Sequence, residues 1–221
     1  LSKYLEHVDT IVLEEKNLTK ANIEHLMLQC KAKQKEHVLL DLLNIINPYL
    51  AIIFVNKKDK VEELSLMLAQ NGYKIGKIHG DMDDRDRKQM LRRIKNLEFK
   101  YVVASDIAAR GIDIEGVSHV INFDLPVDIE FYIHRTGRTA RFNNTGTAIS
   151  LYAYDDDAYV NGLREKGLVV RFVKISDGEL VQTKLVKKPS RSFVREIEDK
   201  VHQQVRMPKK VKPGYKKKRK A

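Results

Sequence analysis

Apolar and polar positions along residues 22–176 predict an alternation of strands and helices. Residues 51–55 are apolar throughout, which is typical of a strand buried on both faces. Similar runs predict strands at residues 23–29, 75–78, 101–104, 118–123 and 146–152. Helical periodicity predicts helices at residues 36–46, 61–68, 83–94, 129–137 and 156–165. Strands that alternate with helices, without hairpin signals, indicate an α/β fold: a mostly parallel sheet with helices on both faces.

The net charge lies almost entirely at one end of the chain. The formal net charge is +11, and residues 187–221 alone contain 14 Lys and Arg against three Asp and Glu. Residues 1–186 therefore hold 27 charges of each sign and are neutral overall. The apolar pattern also vanishes there, so this basic tail is predicted to be disordered when free and to bind a polyanion such as RNA. A tail that only aids solubility is the alternative.

Several kinds of protein and site are disfavoured. The single cysteine, Cys30, excludes an intrachain disulfide and a cysteine-rich zinc site, and its apolar surroundings predict a buried thiol. The seven histidines lack metal-ligand spacing, so no metal site is predicted. The longest apolar stretch, residues 38–55, is interrupted by Asp41, Asn44, Asn47 and Pro48, which disfavours a membrane span. No secretory signal is present at the start, and we expect a cytoplasmic location.

Glycines and short polar side chains directly follow three of the predicted strands: Asn56, Gly80, Asp81, Ser105 and Asp106. The carboxyl ends of parallel strands meet at one edge of a sheet, where open α/β folds bind ligands. Hydroxyl groups and backbone N–H groups at such positions suit the phosphates and 2′-hydroxyls of RNA. The sequence therefore predicts a ligand-binding edge whose polar groups would suit RNA.

A basic segment follows, with the sequence His134-Arg135-Thr136-Gly137-Arg138-Thr139-Ala140-Arg141. On a helix, His134, Arg138 and Arg141 would share one face. Guanidinium groups grip phosphate oxygens bidentately, so a row of them suits a polyphosphate. A solvated basic helix face is the alternative. A companion segment at residues 103–113, Val-Ala-Ser-Asp-Ile-Ala-Ala-Arg-Gly-Ile-Asp, favours the functional interpretation.

Together the two segments closely resemble motifs V and VI of the DEAD-box RNA helicases, whose usual forms are A-T-D-x-A-A-R-G-I-D and H-R-x-G-R-T-G-R. Ser105 stands where the family usually has Thr, and it keeps the hydroxyl. Ala140 stands where the family usually has its second Gly, which reduces the backbone freedom just before Arg141. The tail sequence Lys-Pro-Gly-Tyr-Lys-Lys-Lys at residues 212–218 is similar to that of bacterial, cold-shock-type members.

The resemblance implies a RecA-like fold and an RNA-binding role for positions at the predicted edge. In the family, the positions that match four residues of this chain touch the RNA backbone: Gly80, Ser105, Asp106 and Gly111. Asn56 and Asp81 join this set because they also follow predicted strands of the same sheet.

The resemblance also implies one half of an ATP site. Arg138 and Arg141 match the arginine fingers that reach the γ-phosphate, and His134 completes the catalytic set. Asp113 matches the residue that meets the ATP ribose, with a helix N-cap as the alternative. The chain contains neither GxxxxGK[ST] nor Asp-Glu-Ala-Asp, the sequences that cradle the phosphates and hold Mg²⁺. ATP with Mg²⁺ is therefore expected to bind only together with an N-terminal RecA-like domain.

These features predict the C-terminal half of an ATP-dependent RNA helicase. Residues 1–21 would be the end of a preceding domain and a linker, residues 22–176 the RecA-like domain, and residues 177–221 a basic extension. The expected partners are RNA and the N-terminal domain of the same protein, and the fragment alone is expected to be inactive. The alternative is a stand-alone RNA-binding or regulatory module without ATPase activity.

Overall fold

A computed structural model describes residues 22–30, 34–106, 114, 116–140, 145–153 and 156–184. Its strands are β1 (Ile23–Gln29), β2 (Ala51–Val55), β3 (Ile75–Ile78), β4 (Tyr101–Ser105), β5 (His119–Asn122), β6 (Gly146–Tyr152), β7 (Val170–Ser176) and β8 (Glu179–Thr183). Its helices are α1 (Lys35–Ile45), α2 (Lys58–Gln70), α3 (Asp84–Lys95), α4 (Ile129–Thr136) and α5 (Asp157–Glu165). The predicted basic tail lies outside the described residues.

The strands form one sheet in the order β3-β4-β2-β5-β6-β1-β7-β8. Every neighbouring pair is parallel except β7 and β8. The predicted α/β class with a mostly parallel sheet is confirmed. Because β4, β2 and β5 are neighbours, their carboxyl ends lie side by side at one edge, which we call the carboxyl edge.

Helices cover both faces of the sheet, as predicted. On strand β2, Ala51, Ile53 and Val55 point to one apolar cluster, which includes residues of α1 and α2. The alternate residues Ile52 and Phe54 point to the other face, where they join a cluster that includes Ile94 of α3. A third cluster holds the buried apolar residues of α4 and α5: Tyr132, Val160 and Leu163. Burial on both faces explains why β2 reads as an uninterrupted apolar run.

The hairpin of β7 and β8 has no counterpart in the sequence-based prediction. Asp177 and Gly178 connect the two strands with φ of 52° and 78°. Positive φ at both central residues is the signature of a type I′ turn, which Asp-Gly favours. Strand β8 was missed because its residues are exposed or half-buried, so it shows no apolar alternation. The sheet therefore extends to Thr183, beyond residue 176.

The described residues bear on two predicted absences: a membrane-spanning helix and a metal site. Within the described ranges, no helix has the length and apolar character needed to cross a bilayer. No group of three or more His, Cys, Asp and Glu in this part of the chain could hold a metal ion. Cys30 is 6% exposed, which confirms that its thiol is buried, and burial raises its pKa to about 11.

Candidate functional site at the carboxyl edge of the sheet

The centre of the carboxyl edge is Arg135, a buried arginine on helix α4. The inner face of this short helix carries Tyr132, Arg135 and Thr136, all buried. The Arg135 side chain is only 2% exposed. Its guanidinium lies against the ring of Phe54 on β2, with the guanidinium carbon 5.1 Å from the ring centroid. A charge this deeply buried must be compensated by its neighbours.

The Arg135 guanidinium is compensated by a complete set of acceptors, which we call the Arg135 clamp. Nε and Nη2 donate to the two carboxylate oxygens of Asp106, at 2.6 and 2.7 Å. Nη2 also donates to Asn56 Oδ1 at 2.7 Å. Nη1 donates to Asn122 Oδ1 at 3.3 Å and to the carbonyl oxygen of Asp124 at 2.6 Å. All five N–H groups of the guanidinium are thus engaged.

The Arg135 clamp joins the carboxyl ends of three adjacent strands. Asn56 follows β2, Asp106 follows β4, and Asn122 ends β5. Asn56 is held further, because its Nδ2 donates to the carbonyl oxygen of Leu125 at 2.9 Å. The side chains of Asn56 and Asp106 therefore have structural partners at the predicted RNA-binding positions. The sequence analysis did not single out Arg135, although its place three residues after the apolar Tyr132 puts it on the inner helix face.

Buried polar groups continue from the clamp into the domain. Asn122 Nδ2 donates to Ser150 Oγ over 3.0 Å, and Ser150 is hydrogen-bonded to the hydroxyl of Tyr132. That hydroxyl lies 3.1 Å from Nδ1 of His25 on β1. Burial lowers the pKa of His25 to about 4. The imidazole is therefore neutral at pH 7, which removes the cost of a buried charge at this end of the network.

Other predicted edge residues are placed differently. Gly80 and Asp81 follow β3 and are exposed, while Ser105 at the end of β4 is 6% exposed. Asp81 forms an ion pair with Lys58 of α2, and the Lys58 ammonium holds the pKa of the Asp81 carboxyl below its usual value. The edge thus combines exposed groups after β3 with a buried hydroxyl group at the end of β4.

His134 and Arg138 do not share a helix face, because α4 ends at Thr136. His134 is exposed and packs edge-on against Phe131, with 6.3 Å between ring centroids. Arg138 is half-buried, and its Nε lies 3.3 Å from the carbonyl oxygen of His134. Its side chain borders a small apolar cavity on the α3 face of the sheet, lined also by Ile52, Ile78, Val102, Ala104, Ile114 and Val117. Three further predicted site residues lie outside the described residues: Gly111, Asp113 and Arg141.

Comparison with known proteins identifies the family. Residues 34–143 match the helicase conserved C-terminal domain. A Staphylococcus aureus protein named DEAD-box ATP-dependent RNA helicase CshB is 48% identical over 184 residues, which are 83% of this chain and 41% of the relative. A crystal structure of the E. coli DEAD-box protein SrmB, bound to regulator of ribonuclease activity A, matches with a TM-score of 0.64 and 31% identity, covering 76% of this chain and 98% of the SrmB chain. This chain belongs to the DEAD-box RNA helicase family.

The matches also show which part of a DEAD-box protein is present. The matching family is a C-terminal helicase domain, and the chain spans about half the length of the curated relatives that it matches. S. cerevisiae Dbp5 bound to RNA and ADP BeF3 matches with a TM-score of 0.66 at 29% identity, covering 82% of this chain and 46% of that chain. The RecA-like fold is confirmed, and the CshB name supports the bacterial, cold-shock-type resemblance.

The end of the DEAD-box motif VI contains an unfavourable backbone conformation. Ala140 has φ of 56°, in the left-handed region that a residue with a Cβ atom rarely adopts. The preceding residue, Thr139, is 2% exposed and its Oγ1 donates to the carbonyl oxygen of Val117 at 2.6 Å. A Cβ atom on Gly146 would collide with the Thr139 side chain. The packing around Thr139 therefore holds Ala140 where the family usually places glycine.

Ala140→Gly is expected to stabilise this DEAD-box domain by up to about 1 kcal/mol. Relief of the left-handed strain, about 1–2 kcal/mol, exceeds the extra chain entropy of glycine, about 0.5–1 kcal/mol. Urea unfolding of both proteins measures the difference. Ala153→Gly is the control, because Ala153 is not among the described residues with positive φ and should lose stability. Equal losses in both variants would contradict the strain argument.

The buried His25 of the DEAD-box domain predicts a loss of stability at mildly acidic pH. The unfolded chain binds a proton near pH 6.5, whereas the native state resists protonation down to about pH 4. The free energy of unfolding therefore decreases as pH falls through this window, by about 2 kcal/mol between pH 7 and pH 5. His25→Gln should remove this contribution, and His37→Gln at an exposed histidine should retain it. Urea unfolding at both pH values tests this, and identical pH dependence in the two variants would exclude His25.

Proposed function

We propose that this chain is the C-terminal half of an ATP-dependent RNA helicase, with RNA bound along the carboxyl edge and ATP bound between this domain and an N-terminal RecA-like domain. The Arg135 clamp carries the proposal. It fixes Asn56 and Asp106 at the ends of β2 and β4, so the segment that begins at Asp106 starts from a rigid position. That position is the edge where open α/β sheets bind ligands.

The RNA-binding set at this edge comprises Asn56, Gly80, Asp81, Ser105, Asp106 and Gly111. Because Arg135 holds the side chains of Asn56 and Asp106, and the backbone N–H of Asn56 donates to Asp124 Oδ2 at 3.2 Å, these two residues contribute mainly by shaping the edge. Each of the two carboxylates in this set, on Asp81 and Asp106, repels phosphate but accepts a hydrogen bond from a ribose 2′-hydroxyl. These two side chains therefore suit RNA. S. cerevisiae Dbp5, which matches this fold, was solved with RNA and ADP BeF3, in support of both ligands.

On the nucleotide side, Arg138 and Arg141 act as arginine fingers toward the γ-phosphate. Asp113 meets the ribose, and His134 completes the catalytic set. The different positions of Arg135 and Arg138 support this assignment. Arg135 is buried and forms the clamp, whereas Arg138 lies beyond the end of α4 and is half-buried. The phosphate cradle and the ligands of Mg²⁺ come from the N-terminal domain, since this sequence lacks both motifs.

The whole protein would act on RNA in the cytoplasm. Residues 1–21 would be the end of a preceding domain and the interdomain linker. The RecA-like half-domain would begin at residue 22 and include β8 up to Thr183, with the basic extension after it. ATP and RNA would close the cleft between the domains and complete the catalytic site.

The purified chain alone is expected to show no RNA-stimulated ATP hydrolysis, because it holds only the arginine half of the site. Addition of the N-terminal domain, linked or in trans at high concentration, should restore hydrolysis that depends on RNA. A coupled ATPase assay measures both states, with the N-terminal domain alone as the control. Robust hydrolysis by the 221-residue chain alone would contradict the proposed half-sites, and RNA binding without restored hydrolysis would favour an RNA-binding module.

A further inference from the structure

Helix α3 presents a row of basic side chains on the face turned away from the sheet. Ile94 is buried on its inner side, and Met90 and Leu91 pack against the same apolar cluster. The opposite face of a 3.6-residue helix holds four exposed cations spaced by three and four residues, which we call the α3 stripe: Arg85, Lys88, Arg92 and Lys95. The stripe is about 15 Å long at a rise of 1.5 Å per residue, enough to face several consecutive phosphates.

The cations of the α3 stripe are not held by carboxylates, unlike several other surface cations in the described part of the domain. Ion pairs engage cations on other elements: Lys35, Lys58, Lys60, Lys77 and Arg171. On α3 itself, Arg93 is paired with Glu98. Among the described residues, no carboxylate lies within ion-pair distance of the stripe cations. Arg85, Lys88 and Arg92 line an open groove, and the carboxylate of Asp84 lies at one end of it.

The position of the α3 stripe connects it to the carboxyl edge. Helix α3 starts at Asp84, six residues after β3 ends with Ile78 and three residues after the exposed Asp81. Strand β3 is one of the two edge strands of the sheet. The stripe therefore begins beside the edge and leads away from it across the outside of the domain.

Charge distribution favours a polyanion on this surface. Helix α3 carries six Lys and Arg against two Asp, although residues 1–186 are neutral overall. Unpaired cations at regular intervals release counterions when they meet a phosphate backbone, and they need no specific base contacts. An RNA strand matches this arrangement better than an acidic protein, because its charges are also regularly spaced and it lies at the adjoining edge.

We propose that the α3 stripe is an additional RNA-binding surface, which holds the backbone of RNA that extends past the carboxyl edge. The proposal rests on the proposed function, since RNA must reach the edge first. The stripe lengthens the RNA footprint without adding sequence preference. The binding of long RNA should therefore depend on the α3 stripe, whereas the binding of RNA that covers only the carboxyl edge should not.

The test compares the full chain with a variant that carries Arg85→Gln, Lys88→Gln and Arg92→Gln. A matched control removes three exposed cations elsewhere, by Lys166→Gln, Lys174→Gln and Lys184→Gln. Binding of a long unstructured oligouridylate is titrated at several salt concentrations. Loss of three phosphate contacts should make the slope of log K against log salt shallower by about 2 in the stripe variant. The control should change the slope little, and circular dichroism verifies that both variants fold.

The possible outcomes distinguish a failure of the α3 stripe from a failure of the proposed RNA binding at the carboxyl edge. A shallower slope in the stripe variant alone, with unchanged binding of a short oligouridylate, supports the α3 stripe. Equal slopes in the stripe variant and the control overturn it while leaving the edge site intact. An unchanged RNA slope together with lost binding of polyglutamate would assign the stripe to an acidic protein and overturn the RNA assignment. If the parent chain binds no RNA at any salt concentration, the proposed function and this inference both fail.

Discussion

In the two-domain enzyme, Arg138→Lys is expected to lower kcat about 10³-fold, as the loss of an arginine finger does in phosphoryl transfer. Lysine keeps the positive charge but loses the planar fork that grips two phosphate oxygens. Because Arg138 lies beyond the end of α4 and is half-buried, the fold should tolerate the change. Single-turnover hydrolysis with saturating RNA measures the chemical step directly.

Arg164→Lys provides the matched control for this prediction. Arg164 lies on the exposed side of α5, with its guanidinium carbon 5.0 Å from the ring centroid of Phe172. The same chemical change at this site should leave the hydrolysis rate close to that of the parent enzyme. If both lysine variants hydrolysed ATP at the parent rate, Arg138 would not be a finger.

The second large effect concerns stability. Arg135→Ala is expected to lower the free energy of unfolding by about 3–5 kcal/mol, the usual cost of removing one partner of a buried ion pair. The substitution leaves the carboxylate of Asp106 and the side-chain oxygens of Asn56 and Asn122 without their donor. The cost is reduced in part because the Asp106 side chain is 26% exposed and its carboxylate can be hydrated after the substitution. Urea unfolding of the isolated chain measures the loss.

Two variants sharpen this test. Arg138→Ala, three residues further along the same motif, should cost less than about 1 kcal/mol because the side chain is partly exposed. Arg135→Lys retains the charge but has only three donors for five acceptors, so its loss should fall between those of the two alanine variants. Equal unfolding free energies for Arg135→Ala and Arg138→Ala would show that the clamp contributes no stability.

The hydrophobic pattern located most elements that have a buried face, but it missed β7, where Phe172 and Val173 are buried. The bounds of β1, β2, β3 and β6 match the predicted strands, since an apolar run records burial directly. Strand β8 was not predicted because its side chains are largely exposed. Its position depends on hydrogen bonds with β7, which leave no trace in apolar periodicity.

The candidate site was predictable only in outline. Motif spacing placed several polar groups at one edge, but it treated residues 134–141 as a continuous helical face, whereas α4 ends at Thr136. The part played by Arg135 could not be read from the pattern, because its acceptors lie between 11 and 79 residues away in the chain. An exposed arginine and a buried one look alike in sequence, and only the tertiary fold distinguishes them.

The reach of the Arg135 clamp also has a consequence for the order of folding. The guanidinium finds its acceptors only after β2, β4 and β5 have aligned and α4 has docked on them. Until then it keeps its hydration shell, because a partly satisfied charge is costly in an apolar interior. We therefore expect strand pairing to precede the dehydration of Arg135, so that the carboxyl edge becomes rigid only when the three strands and α4 are packed together.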